Sequence, residues 1–145
     1  MPVLGYVLAV LAAVLWGLTY CLDERVLESL SVFKLYFLHC ICGAAVAAAI
    51  LLARGTPPAA LFSFDTARVS LPLMALTLAT ATAAALSILG SIQLLGANTS
   101  AVLEISYPLF VALFSVLLFK GHVQLPVVIG GALIFIGSAI IVMAR

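Results

Sequence analysis

The sequence predicts an all-α integral membrane protein that is built from five transmembrane helices. Its 145 residues are 66% hydrophobic and 8% charged, whereas soluble domains average about 45–50% apolar and about 25% charged residues. A chain of this composition lacks the polar surface that a water-soluble fold requires. Its net charge of +1 also provides no basic face for nucleic acid, so nucleic acid is not an expected partner.

Five apolar stretches have the length that a membrane span requires, about 20 residues. The predicted spans cover approximately residues 4–22, 33–53, 69–92, 98–119 and 125–143. Charged residues 23–25 close the first span, residues 54–58 (Arg-Gly-Thr-Pro-Pro) stop the second, and a tight turn at residues 121–122 joins the last two. Residues 59–68 are predicted to form a polar loop with one turn of helix at most. At this length the chain, residues 1–145, is expected to form a single transmembrane domain.

The fourth span contains the residues with the clearest chemical meaning. Glu104 lies about two turns inside it, where insertion scales put the cost of an aspartate at about 2.5–3.5 kcal/mol, so such an acid usually faces a protein interior or a water-filled cavity. Pro108 lacks an N–H, and the carbonyl of Glu104 therefore loses its helical donor at a predicted helix break. Glu104 is predicted to be a coupling acid. The alternative is a protonated or paired glutamate that only joins helices.

His39 lies about as deep in the second span as Glu104 does in the fourth, and both helices start from the same side of the membrane. We therefore expect that the two side chains can share one depth and titrate as a pair, with Tyr36 on the neighbouring face. The alternative for His39 is a neutral imidazole that is hydrogen-bonded to a backbone carbonyl.

Aromatic side chains could line a substrate cavity. Trp16, Tyr20 and Tyr107 can stack on a ligand or bind a cation through their ring faces. An interfacial aromatic belt is the commoner explanation for Tyr20 and for Tyr6. Trp16 and Tyr107 lie deep enough in their spans to be lining residues.

Glycines in the last span predict a face for close helix packing. Gly130 and Gly137 are seven residues apart, and Gly131 lies beside the first of them. Small residues at such positions let two helices approach closely. We expect these three glycines to form the contact between two subunits.

The sequence contains no arrangement that is typical of an enzyme. It has no Ser/His/Asp set, no cluster with metal-ligand spacing and no phosphate-binding glycine loop. Cys21, Cys40 and Cys42 do not form a C-x-x-C motif. No enzymatic activity, metal ion or cofactor is therefore expected.

Taken in order along the chain, these features resemble the drug/metabolite transporter superfamily, specifically a single EamA-type five-helix unit. Trp16-Gly17 matches that family's Trp-Gly near the end of the first helix, and residues 108–110 (Pro-Leu-Phe) match its fourth helix. Residues 28–39 lie on its connection into the second helix, where the family often has arginine in place of His39. Residues 125–137 also look like the dimer-forming last helix of small multidrug resistance proteins.

Two departures limit what the resemblance implies. The Gly-Glu or Gly-Gln that often follows the family's fourth helix is replaced by Lys120-Gly121-His122 here. The glutamate that small multidrug resistance proteins carry in their first helix has no counterpart, because residues 1–22 contain no acid. Export of polyaromatic cations is therefore not carried over to this chain.

The resemblance implies a multi-pass transporter of the inner membrane that carries a small molecule or metabolite by alternating access. Coupling to protons or another ion would depend on Glu104. Most EamA proteins carry two such units in one chain, so this one looks like a half-transporter that pairs with an inverted copy of itself. One alternative is a subunit that pairs with a different half, for example to flip a lipid-linked sugar. The other is an accessory membrane subunit that does not transport.

The distribution of basic residues agrees with pairing of inverted copies. Orientation in the membrane normally follows the excess of lysine and arginine in cytoplasmic loops. Five spans place equal numbers of these residues on the two sides, Arg54, Arg68 and Lys120 against Arg25, Lys34 and Arg145. Either a partner sets the orientation of such a chain, or the chain inserts both ways. The second option would permit an antiparallel dimer, the single-copy counterpart of an inverted repeat.

We expect reporters fused to the C-terminus, one active only inside the cell and one active only outside, to give comparable signals. The reason is the absence of a charge bias that would fix one orientation. A signal from one side only would contradict dual insertion and would favour a heteromeric half or an accessory subunit.

Overall fold

The computed structural model describes residues 2–63 and 70–143, and all the regular secondary structure in these two stretches is helical. The helices are α1 (Pro2–Leu27), α2 (Val32–Ala53), α3 (Leu71–Leu95), α4 (Ala97–Glu104), α5 (Tyr107–Phe119) and α6 (Leu125–Met143), with one 3₁₀ turn at Pro58–Ala60.

Within the described residues, four stretches are long and apolar enough to cross a membrane, and a fifth apolar helix is shorter. The four are Val3–Leu27, Val32–Ala53, Leu71–Leu95 and Ala97–Phe119, and the shorter one is Leu125–Ile141. The prediction of an all-α membrane protein with five helices is confirmed.

Two helices extend further than the sequence predicts. α1 continues through the charged residues 23–25 to Leu27, because glutamate and arginine are good helix formers and leaving the apolar layer does not by itself end a helix. α3 continues to Leu95 and ends at Gly96, whose φ of 83° suits a residue without a Cβ. The predicted start of the third span at Val69, like residues 64–68 of the predicted loop, lies outside the described residues.

The fourth predicted span consists of two helices with a break between them. α4 ends at Glu104, and α5 begins at Tyr107 with Pro108 as its second residue. Proline fits there because the first turn of a helix has no internal acceptors for its N–H groups. At the break, the N–H of Ser106 bonds to the Leu103 carbonyl, three residues back, at 3.3 Å.

The chain divides into two compact units, Met1–Arg25 with Ser91–Arg145, and Val26–Gly90. In the second unit, the hydroxyl of Tyr36 lies 3.2 Å from that of Thr82 and joins α2 to α3. The hydroxyls of Thr77 and Thr80 each donate to a carbonyl one turn earlier in α3, at 2.9 Å. Hydroxyl groups in an apolar helix are thus satisfied locally.

In the first unit, α6 packs on both halves of the broken span. The hydroxyl of Ser138 lies 2.7 Å from the carbonyl of Val102 in α4. That carbonyl would accept from the N–H of Ser106 in an unbroken helix, so Ser138 replaces the bond that the break removes. α6 also contacts α5, because Gly131 lies directly against the side chain of Leu109.

This contact gives one of the three glycines a role within the chain. A Cβ on Gly131 would lie 2.6 Å from Cδ2 of Leu109, so Gly131 provides space for packing of α6 against α5. A Cβ on Gly130 or Gly137 would meet no atom within 4 Å. The subunit contact stays a prediction for all three glycines.

We expect Gly131→Ala to lower the free energy of unfolding by about 1–3 kcal/mol, the usual cost of overpacking. The added methyl group would force Leu109 to move. The measurement is thermal unfolding in detergent, with Gly43→Ala as the matched control, since a Cβ at that position in α2 meets nothing within 4 Å. Equal unfolding temperatures for the two variants would contradict the packing role.

Candidate functional site

The hydroxyl of Tyr20 in α1 donates a hydrogen bond to Oε2 of Glu104 in α4. Tyr20 is 7% exposed. The ring of Trp16, one turn earlier on the same face of α1, contacts the Tyr20 ring edge-on, with centroids 5.8 Å apart and an interplanar angle of 64°. The contact fixes the orientation of Tyr20, and Tyr20 in turn holds the carboxylate of Glu104 against α1.

A second acid joins the same two helices one turn further along α1. Oε2 of Glu24 accepts a hydrogen bond of 3.1 Å from the N–H of Ala97, the first residue of α4. The N-cap position of α4 is Gly96, which has no side chain to cap the helix, so Glu24 supplies the negative group that a helix N-terminus favours. α1 and α4 are thus bonded at two heights.

Next to these contacts, an open cavity of about 570 Å³ lies between α1 and the α4–α5 junction. The cavity exists because the residues on this face of α1 are small. They are Ala9, Ala12, Ala13 and Gly17. Trp16, Tyr20, Glu104 and Tyr107 provide the larger groups of the wall. The side chain of Glu104 is exposed, so its carboxylate can reach a molecule in the cavity while Tyr20 holds one of its oxygens.

The sequence profile of the EamA-like transporter family matches residues 3–143, which is nearly the whole chain and includes both compact units. The chain belongs to the EamA-like transporter family. No curated protein matches the chain, and no solved structure matches it.

This EamA-like protein is therefore a multi-pass membrane protein from a family of transporters. The match bears out the resemblance to the drug/metabolite transporter superfamily. The likeness of its last helix to small multidrug resistance proteins stays a prediction.

The structure brings three of the predicted site residues of the EamA-like protein into one cavity, Glu104, Trp16 and Tyr107. The other two lie on α2 in the unit Val26–Gly90, where Tyr36 bonds to Thr82 and His39 is exposed. The proposed pair of Glu104 and His39 stays a prediction. In the described part of the chain, no group of three or more His, Cys, Asp or Glu side chains is placed to hold a metal ion.

Sequence reasoning underrated Tyr20 and missed Glu24. Tyr20 fits an interfacial belt by its position near the end of a span, but its four-residue spacing from Trp16 puts both rings on one helix face. That spacing was the available signal. Nothing in the sequence pairs Glu24 with the start of α4, because the bond joins residues 73 positions apart.

We expect Tyr20→Phe to increase labelling of Glu104 by a lipid-soluble carbodiimide about tenfold. The substitution removes the hydroxyl that holds Oε2, and a hydrogen bond to a charged group is worth about 1.5–3 kcal/mol. Labelling at Glu104 is measured by mass spectrometry of the digested protein.

Tyr6→Phe is the matched control for this experiment, because Tyr6 lies on α1 but does not line the cavity. Glu104→Gln gives the background. Equal labelling of the Tyr20→Phe and Tyr6→Phe variants would mean that the hydroxyl of Tyr20 does not restrain the carboxylate.

Proposed function

We propose that the protein is a proton- or ion-coupled transporter of a small molecule, not an enzyme, which works by alternating access as an antiparallel dimer in the inner membrane. The observation that carries the proposal is the carboxylate of Glu104 on the wall of a cavity, in an apolar segment long enough to cross a membrane. Ionisable groups within such segments are associated with substrate pathways and proton relays.

The size and lining of the cavity suit a small organic molecule. Its volume, about 570 Å³, falls within the range of about 300–1,000 Å³ that is usual for ligand sites. The rings of Trp16 and Tyr107 offer apolar faces, and Glu104 offers the one carboxylate among the lining residues that the structure describes. A molecule with an apolar body and a positive charge or hydrogen-bond donor complements this wall.

Coupling follows from competition for the carboxylate of Glu104. Its oxygens can accept a hydrogen bond from the hydroxyl of Tyr20 or from a donor group of the substrate. They can also bind a proton. A substrate that displaces Tyr20 weakens the contact between α1 and α4, whereas a return to the Tyr20 bond restores it. A ligand shifts a conformational equilibrium only by its difference in affinity for the two states, and this exchange of partners provides such a difference.

The dimer is supported by the open side of the cavity. Trp16 is 59% exposed and Tyr107 is 60% exposed, so the chain itself leaves much of the lining uncovered. An acid in such a cavity would face hydrocarbon, which is unfavourable unless protein or water covers it. An inverted second copy would cover it and would place two equivalent sites on opposite sides of the dimer axis.

The purely structural alternative fits these contacts less well. A glutamate that only joins helices would be enclosed by its partners, with little space beside it. Glu104 does bond to Tyr20, yet its side chain is exposed and lines the cavity. The space beside the hydrogen bond between Tyr20 and Glu104 favours a ligand site over a purely structural contact between helices.

We expect Glu104→Gln to abolish substrate-driven proton movement. The test uses proteoliposomes with an imposed proton gradient, a pH-sensitive dye inside, and a panel of amino acids, amines, sugars and nucleosides added outside. Glutamine keeps the shape of the side chain but cannot bind and release a proton, so the response should fall to that of empty vesicles. A sodium gradient in parallel distinguishes a different coupling ion.

Glu24→Gln is the matched control, because its amide oxygen can still accept from the N–H of Ala97 and the response should persist. Proton-coupled transport that survives Glu104→Gln unchanged would reject the role of Glu104. A wild-type protein that responds to no compound under either gradient would reject transport and would favour an accessory subunit.

A further inference from the structure

A second cavity, here called the α5–α6 groove, lies between α5 and α6 and reaches the turn that joins them. It measures about 510 Å³. Its deep part is apolar and includes Pro108 and Val111, whereas Ser115, His122 and Gln124 make the part near the turn polar. A groove that becomes polar toward the membrane surface can admit water from that surface.

Tyr107 lines both the α5–α6 groove and the cavity that contains Glu104. It is the first residue of α5 and directly follows the break at Ile105 and Ser106. Tyr107 therefore lies at the boundary between the acid-containing cavity and the groove. No other described residue lines both spaces.

The helix break removes regular helical hydrogen bonds next to Tyr107, while the helices on either side are held by α6. The bond from Ser138 to the Val102 carbonyl fixes α4 to α6, and the contact of Gly131 with Leu109 fixes α5 to α6. Between these two attachments the backbone lacks the regular α-helical ladder, since Pro108 has no N–H to donate. Discontinuous helices of this kind form substrate and ion sites in transporters.

We propose that the α5–α6 groove is the outer vestibule of the transport path and that Tyr107 is the side chain that separates it from the Glu104 cavity. This inference rests on the proposed transport function. In the closed position the Tyr107 ring divides the two spaces, and its displacement joins them into one path from Glu104 to the α5–α6 turn. His122 and Gln124 then replace part of the hydration of a polar solute as it enters or leaves.

The test measures the reactivity of introduced cysteines with a small, charged, water-soluble methanethiosulfonate in permeabilised membranes. Cys21, Cys40 and Cys42, all exposed, are first replaced by serine. We expect Ala112→Cys, in the groove, to react quickly whatever residue is at position 107. In the proposed dimer the second copy covers the open side of the Glu104 cavity, so Ala101→Cys in that cavity should react slowly with Tyr107 present and about tenfold faster in Tyr107→Ala.

Four variants make the result specific. Tyr107→Phe keeps the ring and should leave the slow rate unchanged, and Tyr6→Ala controls for the loss of a tyrosine elsewhere. If size-exclusion chromatography shows that the Tyr107→Ala protein is misfolded, Tyr107→Val is used in its place. Ala112→Trp fills the groove. Added to the protein that carries both Tyr107→Ala and Ala101→Cys, it should return the labelling of that cysteine to the slow rate.

Two results would overturn the inference. If Ala112→Cys reacts with N-ethylmaleimide but not with the charged reagent, the groove holds lipid and is not a vestibule. If Tyr107→Ala does not accelerate the reaction at Ala101→Cys, or Ala112→Trp does not slow it again, the path runs elsewhere. The labelling does not depend on a substrate, so the two proposals can be tested separately. If the labelling results differ from those expected but transport depends on Glu104, only the vestibule is rejected. If no transport is found, the proposed function itself is rejected.

Discussion

The need to satisfy every polar group in an apolar environment controls the architecture of this protein. A carboxyl group and a broken helix are both unfavourable in hydrocarbon, and the chain contains the two within five residues. The hydroxyl of Tyr20 provides a partner for the carboxylate of Glu104. The hydroxyl of Ser138 provides one for a carbonyl that the break deprives of its usual donor. α1 and α6 are thereby attached to the same short segment from two directions.

The end of α1 shows how one helix can serve both the site and the fold. Tyr20 contacts the acid of the site, and Glu24, one turn later, caps the next helix that it meets. Gly96 makes this possible, since its backbone adopts a φ of 83° and a Cβ there would lie 3.2 Å from Oε1 of Glu24. The position of Glu104 relative to α1 is thus set from both ends of the same short helix.

Openness is the feature that links structure to function. The small residues of α1 leave a space beside Glu104 that this chain does not fill, and the aromatic rings around it remain largely exposed. The chain belongs to a transporter family, and the proposed transport function would use this space as its ligand site. In the proposed antiparallel dimer, the second copy would close the space with the same set of groups.

The sequence by itself determined the class of the protein and predicted much of its candidate site. Composition required a membrane, charges and glycines marked the spans, and the cost of an acid in hydrocarbon selected Glu104. These are properties of single residues or of short periodic patterns, so they can be read along the chain. Trp16 and Tyr107 followed from their depth in their spans, which is also a local property.

Only the tertiary structure decided which groups meet. Tyr20 could be an interfacial anchor or a partner of the acid, and the choice depends on how α1 lies against α4. Gly131 and Gly137 look alike in sequence, yet one faces Leu109 and the other faces open space. Pairings of this kind join residues that are far apart in the chain, and helices with nearly uniform apolar surfaces carry too little pattern to specify which faces come together.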